Sequence, residues 1–331
     1  MAIDTGMYSL KQFQVAVKAE TTLGTALVTG MQKVNIDGYP SVSRNPERYL
    51  EVRHGEGNVA KQADVYIEQK GKVKEISFTA LYDQTLAPIF LENCIGAVVG
   101  VGPASYAVPY NYTGPECATG DTDSDNTGAL TVALISPEGS NTEIYPGCIV
   151  SSLRIYADLA NDGGRFKMDV VLQTRHNIAV QAAPTSPSAY PTTYRTLYDL
   201  CTNQSLGGSD IVMNRFEVTL NNNAKFHGNG CDGVPQSISR GLPEFMVTGI
   251  VGVKYDANTA ALLQRQYDDA NVTALQLANN ATFASATFGV DAKKCFISDN
   301  FDPADADGGA FMDVPLKMVA GTSGNVIDII P

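Results

Sequence analysis

The sequence predicts a mainly β protein made of two tandem related units, each with one flanking helix. Apolar and polar residues alternate with a period of two in several segments, such as Lys74–Tyr82 and Phe166–Thr174, which is typical of half-buried strands. Convincing helical spacing in the first half is confined to one segment, Leu86–Asn93. An internal repeat adds a third observation, because four short blocks recur in the same order on both sides of a proline-rich segment.

The strongest strand predictions lie in the first half. Ala129–Ile135 is an apolar strand, and Lys74–Tyr82 places alternate apolar residues on one face. Ile149–Asp158 and Phe166–Thr174 flank the turn Asn161–Gly164, which predicts a β-hairpin. We expect Ile149, Ser151, Leu153 and Ile155 to share one face of the first of these two strands.

The predicted helix follows the dipeptide Tyr82-Asp83. Thr85 is the expected cap, and Pro88 falls in the first turn, where a missing N–H does little harm. Gly96 is a plausible C-terminal stop. The apolar stripe of this helix indicates packing against the core.

The segment Arg44–Glu75 differs in composition from the rest of the chain. It holds seven basic and six acidic residues, a balance that excludes it from a hydrophobic core. Strand-like residues stand near its ends, at Tyr49–Val52 and Val65–Ile67. We therefore expect a long exposed hairpin or arm, and a loop of this length is commonly functional or bound to a partner.

Ala182–Pro191 holds three prolines among small polar residues and predicts an extended linker near the middle of the chain. The repeat lies on either side of it. The sequence therefore predicts a first unit at 1–181, which includes an N-terminal arm and the charged loop 44–75, a linker at 182–205 and a second unit at 206–331. The matched blocks are Lys74–Thr79 with Pro243–Thr248, Tyr82-Asp83 with Tyr255-Asp256, each followed by a helical stretch, Cys148–Ser151 with Cys295–Ser298, and Gly163–Leu172 with Gly308–Leu316.

Composition narrows the class of function. The 331 residues include 23 Lys and Arg against 35 Asp and Glu, a formal charge of -12, and no basic tract that could neutralise a nucleic-acid backbone. Apolar residues make up 44% and suffice for a core, while no apolar run is long enough to cross a membrane. Met1–Leu10 shows no secretory signal.

Motifs for catalysis or metal binding are not found. The three histidines are far apart and are expected on the surface or in loops, and the six cysteines show no CxxC pair and are expected to be mostly free and buried. The acidic runs Asp121–Asn126 and Asp305–Gly308 depart from a calcium loop and are interpreted as solvated loops. We therefore predict no enzyme activity, no catalytic residue, no cofactor and no metal site.

Three stretches of the first half resemble the tail tube (major tail) proteins of tailed bacteriophages. Val17–Ala26 is similar to their AxETxxGT opening, Lys74–Gly96 to a strand–Tyr-Asp–helix block, and Pro146–Ile155 with the Gly-Gly turn and Phe166–Leu172 to a "GC-[VI]-V-S-S-L" strand and its return. The second half matches mainly through the repeat. The resemblance covers most of residues 17–175 and involves patterns that determine the fold.

The resemblance implies a β-sandwich or barrel tail-tube fold, with subunits joined by pairing of their inner strands into rings. Stacked rings form a hollow tube through which double-stranded DNA passes without specific binding during ejection, and a trimer of duplicated chains supplies a pseudo-sixfold ring. It also implies assembly in the host cytoplasm, residence in the virion tail, and tape measure, terminator, distal tail and, in contractile tails, sheath proteins as partners. An acidic lumen would repel DNA phosphates.

The charged segment 44–75 is the natural candidate for a loop that bridges successive rings, and Met1–Met31 and Ala182–Cys201 are candidates for arms. The inter-ring contact candidates are Arg44, Glu47, Arg48, Arg53, Glu56, Lys61, Asp64, Glu68, Lys70 and Lys72. Two alternatives stay open: another phage tail, neck or capsid-decoration protein, and a β-sandwich binding module. The lack of tryptophan and the scattered tyrosines do not favour the binding module.

Overall fold

The computed structural model describes residues 9–43, 47–50, 65–68, 73–95, 105–109, 117–118, 128–227, 237–240, 246–265, 273–306, 309–320 and 325–331. The described elements of the first half are β1 Gln14–Ala19, β2 Gln32–Val34, β3 Ile36–Val42, β4 Glu47–Leu50, β5 Val65–Glu68, β6 Lys74–Leu81, α1 Leu86–Ile95, β7 Tyr106–Pro109, β8 Cys117–Ala118, β9 Leu130–Ile135, β10 Thr142–Asp158, α2 Leu159–Asp162, β11 Lys167–Thr174 and β12 Ala179–Gln181. Those of the second half are β13 Asn203–Leu206, β14 Ser209–Asp210, β15 Met213–Asn221, β16 Lys225–His227, β17 Ser237–Ser239, β18 Met246–Lys254, α3 Ala260–Arg265, β19 Thr273–Ala278, β20 Gly289–Ile297, β21 Ala304–Ala306, β22 Gly309–Met318 and β23 Asn325–Ile330.

The central feature of the fold is one antiparallel sheet that runs through both halves. Its strands follow the order β3–β6–β11–β10–β15–β18–β22–β21. Alternation turns one face of each strand inward, so that Ile76, Phe78 and Ala80 of β6 are buried. We call this the main sheet, and its other face the open face.

A second layer covers the inner face of the main sheet. In the first half it consists of β2, β1, β9, the start of β10 and β12, and in the second half of β14, β13, β19, β20, β23 and β7. The long strand β10 passes from this layer into the main sheet through irregular pairing between Tyr145 and Cys148, as expected for a strand that turns a corner between two sheets. The large core lies between the layers.

The two halves share that core. Ser152–Asp158 of β10 pairs with Arg215–Asn221 of β15 and joins the halves through backbone hydrogen bonds. Phe166 of the first half packs against Phe216 and Phe288 of the second, with ring centroids 6.0 and 5.3 Å apart. Aromatic pairs at these distances add to the stability that burial gives.

The proline-rich segment 182–205 follows the first half and hydrogen-bonds to it. The backbone N–H of Gly30 donates to the Thr185 carbonyl at 3.0 Å, and that of Ser188 donates to the Met31 carbonyl at 2.9 Å. The Asn35 amide reaches the Pro191 carbonyl at 3.0 Å. These bonds hold the segment against the residues on either side of β2 before the chain enters the second half.

The internal repeat has a structural counterpart in the register of the strands. Met168 of β11 lies opposite Ala80 of β6, and Met312 of β22 lies opposite Val253 of β18. Measured from the Tyr-Asp dipeptide that follows each strand, Ala80 and Val253 hold the same position. The second layer repeats as well, since β9 pairs with β10 as β19 pairs with β20. In each pair the register shifts over the three residues that lead to the matching cysteine, Tyr145 to Cys148 in β10 and Ala292 to Cys295 in β20.

The helices after β6 and β18 start in the same way. The Asp83 carboxylate accepts the Thr85 backbone N–H at 2.7 Å, and the Asp256 carboxylate accepts that of Asn258 at 2.9 Å. The expected cap at Thr85 is therefore wrong, because the aspartate of each Tyr-Asp dipeptide caps its helix. Helix α1 covers Leu86–Ile95 as predicted, while Gly96 lies outside the described residues.

Two further expectations are corrected. The strand equivalent to Lys74–Thr79 begins at Val247, four residues beyond the block Pro243–Thr248 that the sequence suggests. A shift of four residues preserves a period of two, so alternation cannot detect it. The expectation that Ile149 shares one face of its strand with Leu153 and Ile155 is also wrong. The pairing of β10 is irregular between Val150 and Ser152, so that Val150 lies in the main core with Leu153 and Ile149 lies in a separate cluster.

The mainly β fold class that the sequence predicts is confirmed. In the described ranges no helix is long and apolar enough to span a membrane. Cys94, Cys148 and Cys295 are buried free thiols, and Cys201 is an exposed one. His227 is exposed, as expected, whereas His176 lies in a loop but is buried, and His54 falls outside the described residues.

Candidate functional surface

The open face of the main sheet carries charged side chains from every strand of the sheet except β21. Because neighbouring residues alternate between faces, the charged side chains of the main sheet lie opposite the apolar core positions. The acidic members are Asp37, Glu75, Asp158, Asp169, Glu217 and Asp313, and the basic members are Arg154, Lys167, Arg215, Lys254 and Lys317. Acidic and basic residues are thus nearly balanced on this face.

A chain of ion pairs, which we call the charge ladder, crosses the open face. Arg154 of β10 contacts Asp169 of β11 at 3.1 Å through Nη1 and Glu217 of β15 at 2.6 Å through Nη2. Arg215 continues the ladder, since it contacts Glu217 at 3.3 Å and Asp313 of β22 at 2.7 Å. The ladder links strands of both halves. Its two aspartates, Asp169 and Asp313, occupy matching positions in the repeated Met-Asp-Val block.

A glycine lets the ladder cross β18. Gly252 of β18 lies between the strands that carry Arg215 and Asp313. A Cβ atom added at Gly252 would stand 2.8 Å from Arg215 Cβ and 2.9 Å from Asp313 Oδ1, closer than such atoms can approach without displacement. The missing side chain therefore provides the space in which the two residues meet.

The ion pairs shift the ionisation of their members. Burial alone would raise the pKa of Glu217, but the hydrogen bonds and charges of Arg154 and Arg215 outweigh it and lower that pKa. The hydrogen bond to Glu217 raises the pKa of Arg154. Lys167 lies 2.8 Å from Asp162 and 3.0 Å from Asp37, and these hydrogen bonds raise its pKa. These three cations are therefore held by carboxylates of the same chain.

The ladder supports stability in a pH-dependent way, which Glu217→Gln tests. A lowered pKa means that Glu217 stabilises the fold above its unfolded-state value, near 4.5, and that this stabilisation fades as the pH falls through the folded-state value. We expect the variant to have a free energy of unfolding about 1 kcal/mol lower at pH 7. The loss is no larger because Arg154 is partly exposed and screened by solvent. Urea unfolding at pH 7 and at lower pH should show the difference from wild type shrinking. A difference that grows with acid would contradict the assignment.

The main sheet ends in two open edges. Among the described strands, β3 pairs with β6 alone and β21 with β22 alone. In the repeat, β3 corresponds to β15, and β21 corresponds to the end of β10. Those counterparts pair with each other inside the chain. Residues 298–300 and 302–305, which lead into and include most of β21, are exposed, as are residues 37–39 of β3. The exposed stretches of β3 and β21 therefore match strands that are paired with each other at the join between the two halves.

The charged segment 44–75 contains a hairpin where the sequence predicts one. β4 pairs with β5 in antiparallel register, with Glu47 opposite Glu68 and Leu50 opposite Val65. Of the contact candidates, Glu47, Arg48 and Glu68 lie in these two strands. The others lie outside the described residues: Arg44, Arg53, Glu56, Lys61, Asp64, Lys70 and Lys72.

A buried glutamate ties together two of the sequence stretches that carry the family resemblance. Glu20 accepts the backbone N–H of Gly24 at 2.7 Å and that of Gly147 at 2.8 Å, and it also accepts the Thr131 hydroxyl at 2.7 Å. Burial raises its pKa. Both glycines have positive φ and pack so closely on the His176 ring that a Cβ atom would clash. The ET-x-x-GT and PGC patterns thus meet in one buried hydrogen-bonded cluster around Glu20.

The sequence did not single out the residues of the charge ladder. Arg154 and Glu217 pair diagonally, so their contact depends on the strand register and on the join between the halves. Arg215 and Glu217 stand two residues apart on one face of β15. The available signal was the repeated aspartate of the Met-Asp-Val blocks, which lies on the polar side of an alternating strand.

These features define a mainly β protein whose two halves share a pattern of strand register, with two sheet edges that are unpaired among the described strands and an ion-paired sheet face. A family model described as phage tail tube protein matches residues 12–316, nearly the whole chain. The chain therefore belongs to the phage tail tube protein family, a family of bacteriophage structural proteins rather than enzymes, and it is a component of the virion tail. A comparison with curated proteins found no match.

Proposed function

We propose that three copies of this chain close into a ring and that the rings stack into the tail tube through which DNA is ejected. One observation carries the proposal: the end of β10 pairs with β15 inside the chain, while their counterparts β21 and β3 each keep one open edge among the described strands. Pairing β21 of one chain with β3 of the next would repeat the internal joint. It would also convert two exposed edges into an assembly contact.

The repeat supports the division of the chain into units at 1–181 and 206–331, joined by 182–205. Each unit contributes four strand positions to the main sheet, namely β3, β6, β11 and β10 in the first, and β15, β18, β22 and β21 in the second. Six such units from three chains form the pseudo-sixfold ring that the family resemblance implies.

In this ring the open face of the main sheet is the wall of the lumen. The net charge of the chain suggests an acidic wall, but in this arrangement the acidic and basic residues of the wall are nearly balanced. Arg154, Lys167 and Arg215 are each held by carboxylates of the same chain, so a passing phosphate would have to displace a partner already in place. DNA therefore slides along ion pairs, since three of the five described cations of the wall are already held by carboxylates.

The hairpin segment 44–75 bridges successive rings through its charged residues, and ion pairs there fix register more than affinity. Tape measure, terminator and distal tail proteins, and a sheath in contractile tails, are the other partners, with assembly in the host cytoplasm. These roles rest on the family and on the charge balance of the segment.

Electron microscopy of the purified protein tests the ring. We expect stacked rings or hollow tubes in negative stain. Tyr39→Asp should prevent them, because Tyr39 is exposed on β3 and the opposing stretch carries Asp299, Asp302 and Asp305, whose like charge disfavours pairing. Tyr198→Asp is the matched control, since Tyr198 is also exposed but belongs to neither β3 nor β21. Normal tubes from Tyr39→Asp, or a wild-type protein that stays monomeric, would refute the closure.

A further inference from the structure

The second half of the chain covers a surface of the first half with a short hairpin. Ile238 of the β16–β17 hairpin joins Leu23, Ala129 and Ile149 in a buried cluster, with Phe226 packed against it. Ile149 is fully buried there. The hairpin belongs to the second unit and covers the first. If the repeat extends to this contact, the hairpin of every unit covers the unit that precedes it.

The corresponding surface of the second half is exposed. Ile149 lies opposite Gln173, and Phe296 lies opposite Lys317 at the matching position of the second return strand. The cysteine before each residue donates its thiol to the carbonyl three residues earlier, for Cys148 and Cys295 alike. Phe296 is therefore the counterpart of Ile149, yet 38% of it is exposed. An aromatic ring so exposed, where its counterpart is buried, indicates a missing cover.

The counterpart of the covering hairpin is β4–β5. Each hairpin connects the two strands that start a unit's share of the main sheet, β3 to β6 in the first unit and β15 to β18 in the second. The register of β4–β5 sets Leu50 opposite Val65, as β16–β17 sets Phe226 opposite Ile238. Both ribbons thus carry an apolar pair.

Charge also fits the match. The register sets Glu47 of β4 opposite Glu68 of β5, so this end of the ribbon bears two acidic residues. Lys294, which lies two residues before Phe296 and so on the same face of β20, is exposed. A cation beside the apolar contact complements an acidic end of the ribbon.

We propose that Phe296 and Lys294 mark the docking site for the β4–β5 hairpin of an adjacent copy of this chain in the same ring. The inference rests on the proposed ring, whose direction it shares: β3 and the β4–β5 hairpin of one chain both contact the second half of the same neighbour. The strands β4 and β5 of segment 44–75 then make a contact within the ring, in addition to the bridging role proposed for the segment.

Photo-crosslinking tests the site directly. Phe296 is replaced by p-benzoylphenylalanine, and isotope-labelled and unlabelled chains are mixed before assembly, so that mass spectrometry separates crosslinks between chains from those within one. We expect crosslinks from position 296 to residues 44–72 of another chain. The same photoreactive residue at Tyr198, which is exposed and lies outside β20, should not reach that segment.

The outcomes separate the two proposals. Tubes that form with crosslinks from position 296 to other segments, or with none, overturn the docking site and leave the ring standing. A photoreactive protein that fails to assemble while wild type assembles calls for Phe296→Leu and Phe296→Asp. Docking predicts that leucine assembles and that aspartate raises the protein concentration needed for assembly at least about tenfold. Equal assembly of both variants overturns docking, and absence of assembly in wild type overturns the ring and the docking together.

Discussion

We expect deletion of residues 45–72 to abolish tube assembly and to leave a folded subunit. β4 and β5 form a separate two-stranded sheet among the described strands, so their removal leaves the described strand pairings of the main sheet in place. The flanking strands β3 and β6 pair directly, and the Ser43 N–H donates to the Glu75 carbonyl at 2.9 Å. A short glycine-rich turn can therefore close the gap. We expect unchanged far-UV circular dichroism and a cooperative melt, but neither rings nor tubes in the microscope.

The equivalent deletion in the second half gives the contrast that identifies the effect. Removing residues 225–239 takes away Ile238, whose side chain is fully buried in the chain itself. Loss of such a residue costs about 2–5 kcal/mol, so this variant should melt earlier even as a monomer. The two hairpins thus separate assembly from folding. If the 45–72 deletion still gives full-length tubes, the segment bridges neither rings nor neighbouring chains.

The sequence predicts the strands well because alternation reports burial directly. Ile76, Phe78 and Ala80 are buried as expected, and the hairpin β10–β11 forms around the predicted turn. Alternation has no origin, however, and shifts of two or four residues leave it unchanged. Sequence alternation therefore reveals the repeat but does not fix the alignment of the block Pro243–Thr248, and it carries no sign of the irregular pairing near Ile149.

Polar interactions were less predictable than strands because they depend on several elements at once. Thr85 is an acceptable helix cap by residue type, but the strand before α1 ends so that the Asp83 carboxylate reaches the Thr85 N–H. The ladder formed by Arg154, Glu217 and Arg215 requires the join of the two halves. The charge-balanced composition of segment 44–75 indicated a hairpin, which the pairing of β4 and β5 bears out, whereas its contacts with other chains stay a prediction.

Replacing Arg240 by methionine should destabilise the subunit more than other single changes of a charged residue. Arg240 follows the β16–β17 hairpin and is fully buried. Its Nε donates to the Asn93 carbonyl at 3.1 Å and its Nη2 to the Gly128 carbonyl at 2.6 Å. Asn93 lies in the last turn of α1, where exposed carbonyls and the helix dipole favour a cation. Methionine fills much of the volume but satisfies neither carbonyl.

We expect Arg240→Met to lower the free energy of unfolding by about 3 kcal/mol, because each buried carbonyl left without a partner costs about 1–3 kcal/mol. Urea unfolding of the monomer measures it. Arg165→Met is the control, since Arg165 is exposed and its loss should cost less than about 1 kcal/mol. An equal effect of the two substitutions would contradict a capping role. Because Arg240 belongs to the second half and α1 to the first, a large effect means that the end of α1 is completed by a residue of the other half of the chain.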